Sequence, residues 1–202
     1  MANELPFSQA CENNKSPILE ELREVFGSPA RVLEIGTGTG QHAVYFAQSM
    51  PHLQWQPSEH PDAIHHSQQR LEQAALPNIL PIVALDVARE SWPLSAFDGA
   101  FSANTAHIMA WTEVGQMFQG VGDRLTANGA FCLYGPFNKE GQFTSESNRQ
   151  FDRHLRSRAP QMGIRDLAEV TELAKASGLF LENDIAMPAN NRLLIFRLSD
   201  TG

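Results

Sequence analysis

The 202-residue chain is 42% hydrophobic and 19% charged, values of a globular domain large enough to bury a core and free of any disordered block. Its 15 Lys and Arg against 23 Asp and Glu leave a net charge of −8, a field that repels nucleic acid and anionic membranes, so neither is expected as a partner. Two cysteines, Cys11 and Cys132, make neither a disulfide framework nor a zinc site, no apolar run reaches membrane-spanning length and the polar start lacks a signal-peptide core, so a soluble, cytoplasmic protein is expected.

Residues 1–30 read as a helical cover ahead of the first strand. Ser16-Pro17 followed by Ile18, Leu19, Leu22, Val25 and Phe26 predicts a capped amphipathic helix, with Pro17 in its first position and Gly27 at its end. The polar run Cys11-Glu12-Asn13-Asn14-Lys15 reads as its solvated lead-in.

Residues 32–40 organise the rest. Val32, Leu33 and Ile35 predict a buried strand, Gly36, Gly38 and Gly40 a turn, and Gln41 to Val44 the start of a helix over 41–50. Strand, glycine turn and helix build the floor of a nucleotide pocket, and glycines let a ligand lie against the backbone. A dinucleotide fingerprint needs glycine where Gln41 stands, and a P-loop needs Gly-Lys-Ser/Thr, which is absent. Glu34 repels a phosphate and suits an ammonium group. The stretch resembles the first motif of the class I S-adenosylmethionine-dependent methyltransferases, acidic-x-Gly-x-Gly-x-Gly. That resemblance implies that Gly36, Thr37, Gly38 and Gly40 underlie the methionine part of the cofactor, with Glu34 helping to hold its amino group.

Leu53 to Pro57 predicts a short second strand ending at the proline. Glu59 follows 19 residues after Gly40, where nucleotide-binding α/β folds place an acid on the ribose hydroxyls. His60, His65 and His66 lack a Cys or third carboxylate at ligand spacing, so they read as surface residues and no metal is expected. Residues 79–85 predict the third strand, closing on Asp86. The resemblance implies an adenine contact for Asp86; a turn or cap aspartate is the alternative.

Residues 97–102 predict the fourth strand and resemble the family's approach to its active site. In that fold the end of this strand faces the transferred methyl group, which implies a cofactor or acceptor position for Asn104 and His107. A neutral His107 is a candidate general base, and a hydrogen-bonded structural histidine is the alternative. Thr112 is expected to cap the next helix, whose Val114, Met117, Phe118, Val121 and Leu125 share a face. Residues 129–134 predict the fifth strand, with Cys132 as an inert core thiol.

Residues 135–165 form an insertion expected on the substrate side, with Tyr134 and Phe137 as walls of an acceptor pocket. Arg149, Arg153 and Arg156 share one side of a helix over 146–158, opposite Phe151 and Leu155, and a solvated face accounts for them. Asp166 with Glu169 predicts a helix start. Residues 179–187 and 192–198 predict an antiparallel hairpin.

The series predicts a single domain over 1–202 with the Rossmann-like class I methyltransferase fold: an α/β seven-stranded, mostly parallel sheet, a C-terminal antiparallel hairpin and helices on both faces. Over nearly its full length the chain also resembles a narrower group, that of methyltransferase-like protein 26. The resemblance rests on Asn14-Lys15-x-Pro17, Pro57-Ser58-Glu59, residues 134–148 and Gly163-Ile164-Arg165-Asp166, with Asn13 where relatives often carry Arg. It implies S-adenosylmethionine as cofactor, S-adenosylhomocysteine as product and a small-molecule acceptor. His107 and Tyr134 are then the catalytic candidates, and Asn14, Lys15, Phe137, Asn148 and Arg165 the substrate candidates. A non-catalytic S-adenosylmethionine-binding protein is the alternative function.

Overall fold

A computed structural model describes residues 5–28 and 30–198. The ends of the expected domain, 1–4 and 199–202, and position 29 of its N-terminal cover lie outside the described residues.

The first half alternates strand and helix: β1 (Arg31–Ile35), α2 (Gln41–Ser49), β2 (Gln54–Glu59), α3 (His65–Ala74), β3 (Val83–Ala84), β4 (Phe97–Ala103), α4 (Trp111–Gly122) and β5 (Leu125–Gly135), all preceded by α1 (Gln9–Val25). The insertion contributes β6 (Phe137–Asn138), α5 (Glu146–Arg158) and β7 (Arg165–Asp166). The chain closes with α6 (Leu167–Ala176), β8 (Leu179–Met187) and β9 (Asn191–Leu198). Seven strands pair in the order β3-β2-β1-β4-β5-β9-β8, and β9 alone runs against its neighbours. This is the sheet expected from the sequence. Strand order reverses between β1 and β4, so the segments leaving these two paired strands turn to opposite faces of the sheet and open the crevice where α/β sheets bind ligands.

The period-2 alternation of the strands divides the core between two faces. Leu33, Ile35, Phe131 and Leu133 pack under α4 and α6, against Val114, Phe118, Val170 and Ala174. Val32, Trp55, Phe101 and Cys132 pack on the other face, under Ile18 and Leu22 of α1 and Phe46 of α2.

Four local expectations are corrected. Helix α1 begins at Gln9, capped by the Ser8 side chain on Cys11 N, so Pro17 is interior and the polar run 11–15 is helical. Ile18 and Leu22 bury fully and Asn14 is also buried, and that packing outweighs the hydrogen bond lost at proline. Strand β2 continues through Pro57 to Glu59. Trp55 and Glu59 bond toward β3, which places Pro57 on that same side, where the ladder is interrupted at Pro81 and no N–H is required. Gln56 Nε2 instead donates to the carbonyls of Pro57 and Pro81. Strand β3 shrinks accordingly from the expected seven residues to Val83–Ala84, plus a bridge between Trp55 and Ile79. Helix α4 starts at Trp111 rather than behind a Thr112 cap, because the Glu113 carboxylate accepts the Ala110 N–H at 2.6 Å.

The short β6–β7 pair, Phe137 with Arg165 and Asn138 with Asp166, brings the two ends of the insertion together and leaves α5 over the carboxyl edge of the sheet. Among the described residues no helix is long and apolar enough to cross a membrane.

Candidate functional site

Two cavities flank the end of β4, and Asn104 lines both. Asn104 has φ 60°, in the left-handed region that asparagine tolerates better than most residues, and its N–H still pairs with the Tyr134 carbonyl at 2.9 Å. Ser102 secures the turn behind it, sharing a hydrogen bond with Thr105 and donating to Ile35 O at 2.7 Å.

The first cavity, of about 350 Å³, lies at the switch point between β1 and β4. Gly36 and Gly38 form its floor, Glu59 and Asp86 one side, and Asn104 with Thr105 the other. Ile35, Leu85, Val87, Ile108 and Met109 give it an apolar wall. Gly38 has φ +59° with no atom near the place of a Cβ, whereas a Cβ on Gly36 would meet Thr105 Cγ2 at 2.5 Å. Both oxygens of Glu59 accept backbone N–H groups, from Gly38 at 2.7 Å and from His60 at 2.8 Å, which fixes the carboxylate at the end of β2. Asp86 accepts the Ala88 N–H at 3.0 Å. With Glu113 the lining holds, among the described residues, three carboxylates and no Lys or Arg. That set of acceptors and apolar surface suits a ligand of net positive charge carrying a diol and a flat apolar group, and it repels a pyrophosphate.

Three of the expected cofactor residues stand behind this cavity rather than on its wall. Glu34 is buried, and alternation along β1 sends its side chain to the face of α1 and α2, where it accepts from Thr37 Oγ1 at 2.9 Å and Trp55 Nε1 at 3.1 Å. Burial pushes its carboxyl up to about 7 against the lowering effect of both donors, so it is not the open carboxylate that its motif position suggests. Thr37 is turned toward Glu34, and Gly40 packs on Ser67 and Arg70. Gln41, the residue that breaks the dinucleotide fingerprint, ties down α1: its amide bonds Ser8 N, Ser8 O and Glu12 Oε1.

The second cavity, of about 360 Å³, lies between α1, the insertion and the β8–β9 turn. Asn14, Tyr134 and Asn148 of the expected residues line it. Asn14 Oδ1 lies 2.7 Å from His42 Nε2, and since an amide oxygen only accepts, the imidazole is the donor. Burial raises the pKa of the Tyr134 hydroxyl against the lowering effect of the neighbouring Asn14 and Asn191 side chains. Asn148 donates to Thr144 Oγ1 at 3.0 Å and to Asn190 O at 3.2 Å, bracing α5 against the β8–β9 turn.

Four other expected site residues are not on either wall. His107 is buried with its ring edge-on to Phe151 at 5.2 Å, and desolvation, then Arg165, lowers its pKa to about 4. Phe137 packs in the core. Lys15 pairs with Glu12 and lies over the Tyr45 ring. Arg165 donates to the carbonyls of Ala106, Met109 and Gln161, so its guanidinium holds the loop after β4 instead of reaching toward a ligand. Sequence reasoning missed His60 and Glu113 on the first cavity, and Asn13, Phe151 and Asn191 on the second. It also missed the His42 partnership, for which the position two residues after Gly40, in the first turn of α2, is the available signal.

The architecture is that of class I methyltransferases of known structure. An O-methyltransferase family protein from Burkholderia thailandensis superposes with a TM-score of 0.81 at 14% identity, covering 93% of this chain and 57% of that one. An O-methyltransferase family 2 protein from Planctomyces limnophilus, solved with apigenin, gives 0.73 at 15% identity, with coverages of 85% and 52%. CalO1, a methyltransferase of calicheamicin biosynthesis solved with S-adenosylhomocysteine, gives 0.70 at 15% identity, with 91% and 55%. The chain therefore spans little more than half the length of these proteins, and at such identities the likeness establishes the fold. A family model matches residues 5–198, nearly the whole chain, and the protein belongs to that family, described as a protein of unknown function (DUF938).

Proposed function

We propose that this protein is an S-adenosylmethionine-dependent methyltransferase acting on a small molecule, of the group that includes methyltransferase-like protein 26. The observation that carries the proposal is the pair of cavities meeting at Asn104, one lined by three carboxylates and the other by neutral side chains. Glu59 is suited to the ribose diol, Asp86 to the adenine amine and Gly36 and Gly38 to close backbone contact. When bound, the sulfonium supplies an electrophilic methyl group. The chain's own task is then to align an acceptor, with Asn104 at the junction and Tyr134 on the acceptor side. A small acceptor rather than a nucleic acid fits the net charge of −8.

Calorimetric titration with S-adenosylmethionine, S-adenosylhomocysteine and NAD tests this. Both sulfur compounds should bind, NAD should not, and Glu59→Ala should weaken binding about tenfold or more. Failure of both sulfur compounds to bind would overturn the proposal.

A second reading, a non-catalytic S-adenosylmethionine-binding protein, draws support from the candidate bases: His107 is withdrawn from the walls and burial raises the Tyr134 pKa. Cofactor binding without turnover of any hydroxyl, amine or thiol in an acceptor panel would favour it.

A further inference from the structure

The second cavity differs from its neighbour in one respect that bears on what enters it: among the described residues, none on its wall carries a formal charge at neutral pH. Five asparagines, Asn13, Asn14, Asn104, Asn148 and Asn191, dominate the polar part. The nearby charges are engaged elsewhere. Lys15 pairs with Glu12, Arg149 with Glu146 and Arg156 with Asp152, while Arg165 faces backbone carbonyls. The two imidazoles behind the wall, His42 against Asn14 and His107 against Phe151, are both held neutral by burial, with pKa values lowered to about 4.

The amides are not interchangeable. Asn13 Oδ1 accepts from Gln9 Nε2 at 2.9 Å, which leaves its NH2 to give. Asn148 and Asn191 spend Nδ2 on protein oxygens, which leaves their Oδ1 atoms to accept. Among the described residues no protein group bonds the Asn104 side chain, which keeps both capacities. Phe151, 37% exposed, supplies an aromatic surface beside them.

We infer that this cavity takes an uncharged acceptor with an aromatic body and an edge of neutral hydrogen-bond donors and acceptors, and that it rejects carboxylate, phosphate and ammonium groups. A charged group entering it surrenders hydration and meets no counter-charge, whereas a neutral edge exchanges water for matched amides at little cost. As a statement about a methyl acceptor the inference rests on the proposed function; as a statement about the cavity it stands on the lining alone.

The test uses three para-substituted phenols of similar size, 4-hydroxybenzamide, 4-hydroxybenzoate and tyramine, with binding followed by ligand-observed NMR on the full chain. Each is measured with and without S-adenosylhomocysteine, whose own binding is checked by calorimetry. The neutral amide should bind about tenfold or more tightly than either ion. Asn13→Asp, which retains the bond from Gln9 and adds one negative charge to the wall, should shift the preference toward tyramine by a similar factor. Equal or tighter binding of either ion to the natural protein overturns the inference, as does the absence of binding by all three while S-adenosylhomocysteine is bound. Failure of S-adenosylhomocysteine itself sinks the methyltransferase proposal instead, and the series without it still decides the character of the cavity.

Discussion

Replacing Glu34 with Gln isolates the energetic consequence of burying a carboxyl beneath the glycine loop. The Gln oxygen can still accept from both Thr37 and Trp55, so the substitution mainly removes the proton equilibrium. Desolvation raises the carboxyl from 4.5 to about 7, and the negative charge of Glu59 adds to it. Between those values the folded chain keeps a proton that the unfolded chain has lost, so stability falls as pH rises and levels off above the folded pKa. At about 1.36 kcal/mol per pH unit, the gap amounts to about 3 kcal/mol at most. His42 and His107 act with the opposite sign: lowered from 6.5 to about 4, they remove stability as pH falls through that window. The total profile therefore mixes the two effects, and the difference between Glu34→Gln and the natural protein separates them. Urea unfolding of both proteins from about pH 4.5 to about pH 8 should show the variant gaining on the natural protein by about 3 kcal/mol, with most of the change below about pH 7. A difference that stays constant with pH would refute a buried, protonated Glu34.

The Gly38→Ala substitution imposes φ +59° on a residue with a Cβ, costing about 1 kcal/mol, and its methyl meets no protein atom but intrudes on the first cavity. Thermal unfolding should therefore change little while calorimetric affinity for S-adenosylhomocysteine falls about tenfold or more, and unchanged affinity would contradict the assigned floor. The Arg165→Met substitution strands three carbonyls of the loops beside the site and should cost about 3 kcal/mol in urea unfolding, with a loss under about 1 kcal/mol counting against its bracing role.

The sheet was legible because its signal is local: Val32 to Ile35, Phe97 to Ser102 and Phe131 to Tyr134 are apolar runs between turns, and the glycine turn marks the switch point. Pro57 was misjudged because a proline's cost depends on whether its side of the strand has a partner, which sequence does not display. Pro17 was misjudged because a helix interior accepts proline when flanking residues such as Ile18 and Leu22 are buried deeply enough. Site residues divided in the same way. Glu59 and Asp86, at strand ends, reach the first cavity, while Glu34, one residue inside its strand, is carried by alternation to the opposite face of the sheet.

By itself the sequence determined the order of strands and helices, the glycine floor and the acidic character of the region around it, because these follow from periodicity, backbone freedom and residue type along a short stretch. Only the tertiary structure decided which side chains share a wall. Asn13 and Asn14 of α1, Asn104 after β4, Asn148 of α5 and Asn191 at the start of β9 are scattered along the chain, and only packing at the carboxyl edge of the sheet makes one neutral surface of them. The same packing turned Arg165, a substrate candidate in the sequence, and His107, a catalytic one, inward to hold and fill the loops behind the site.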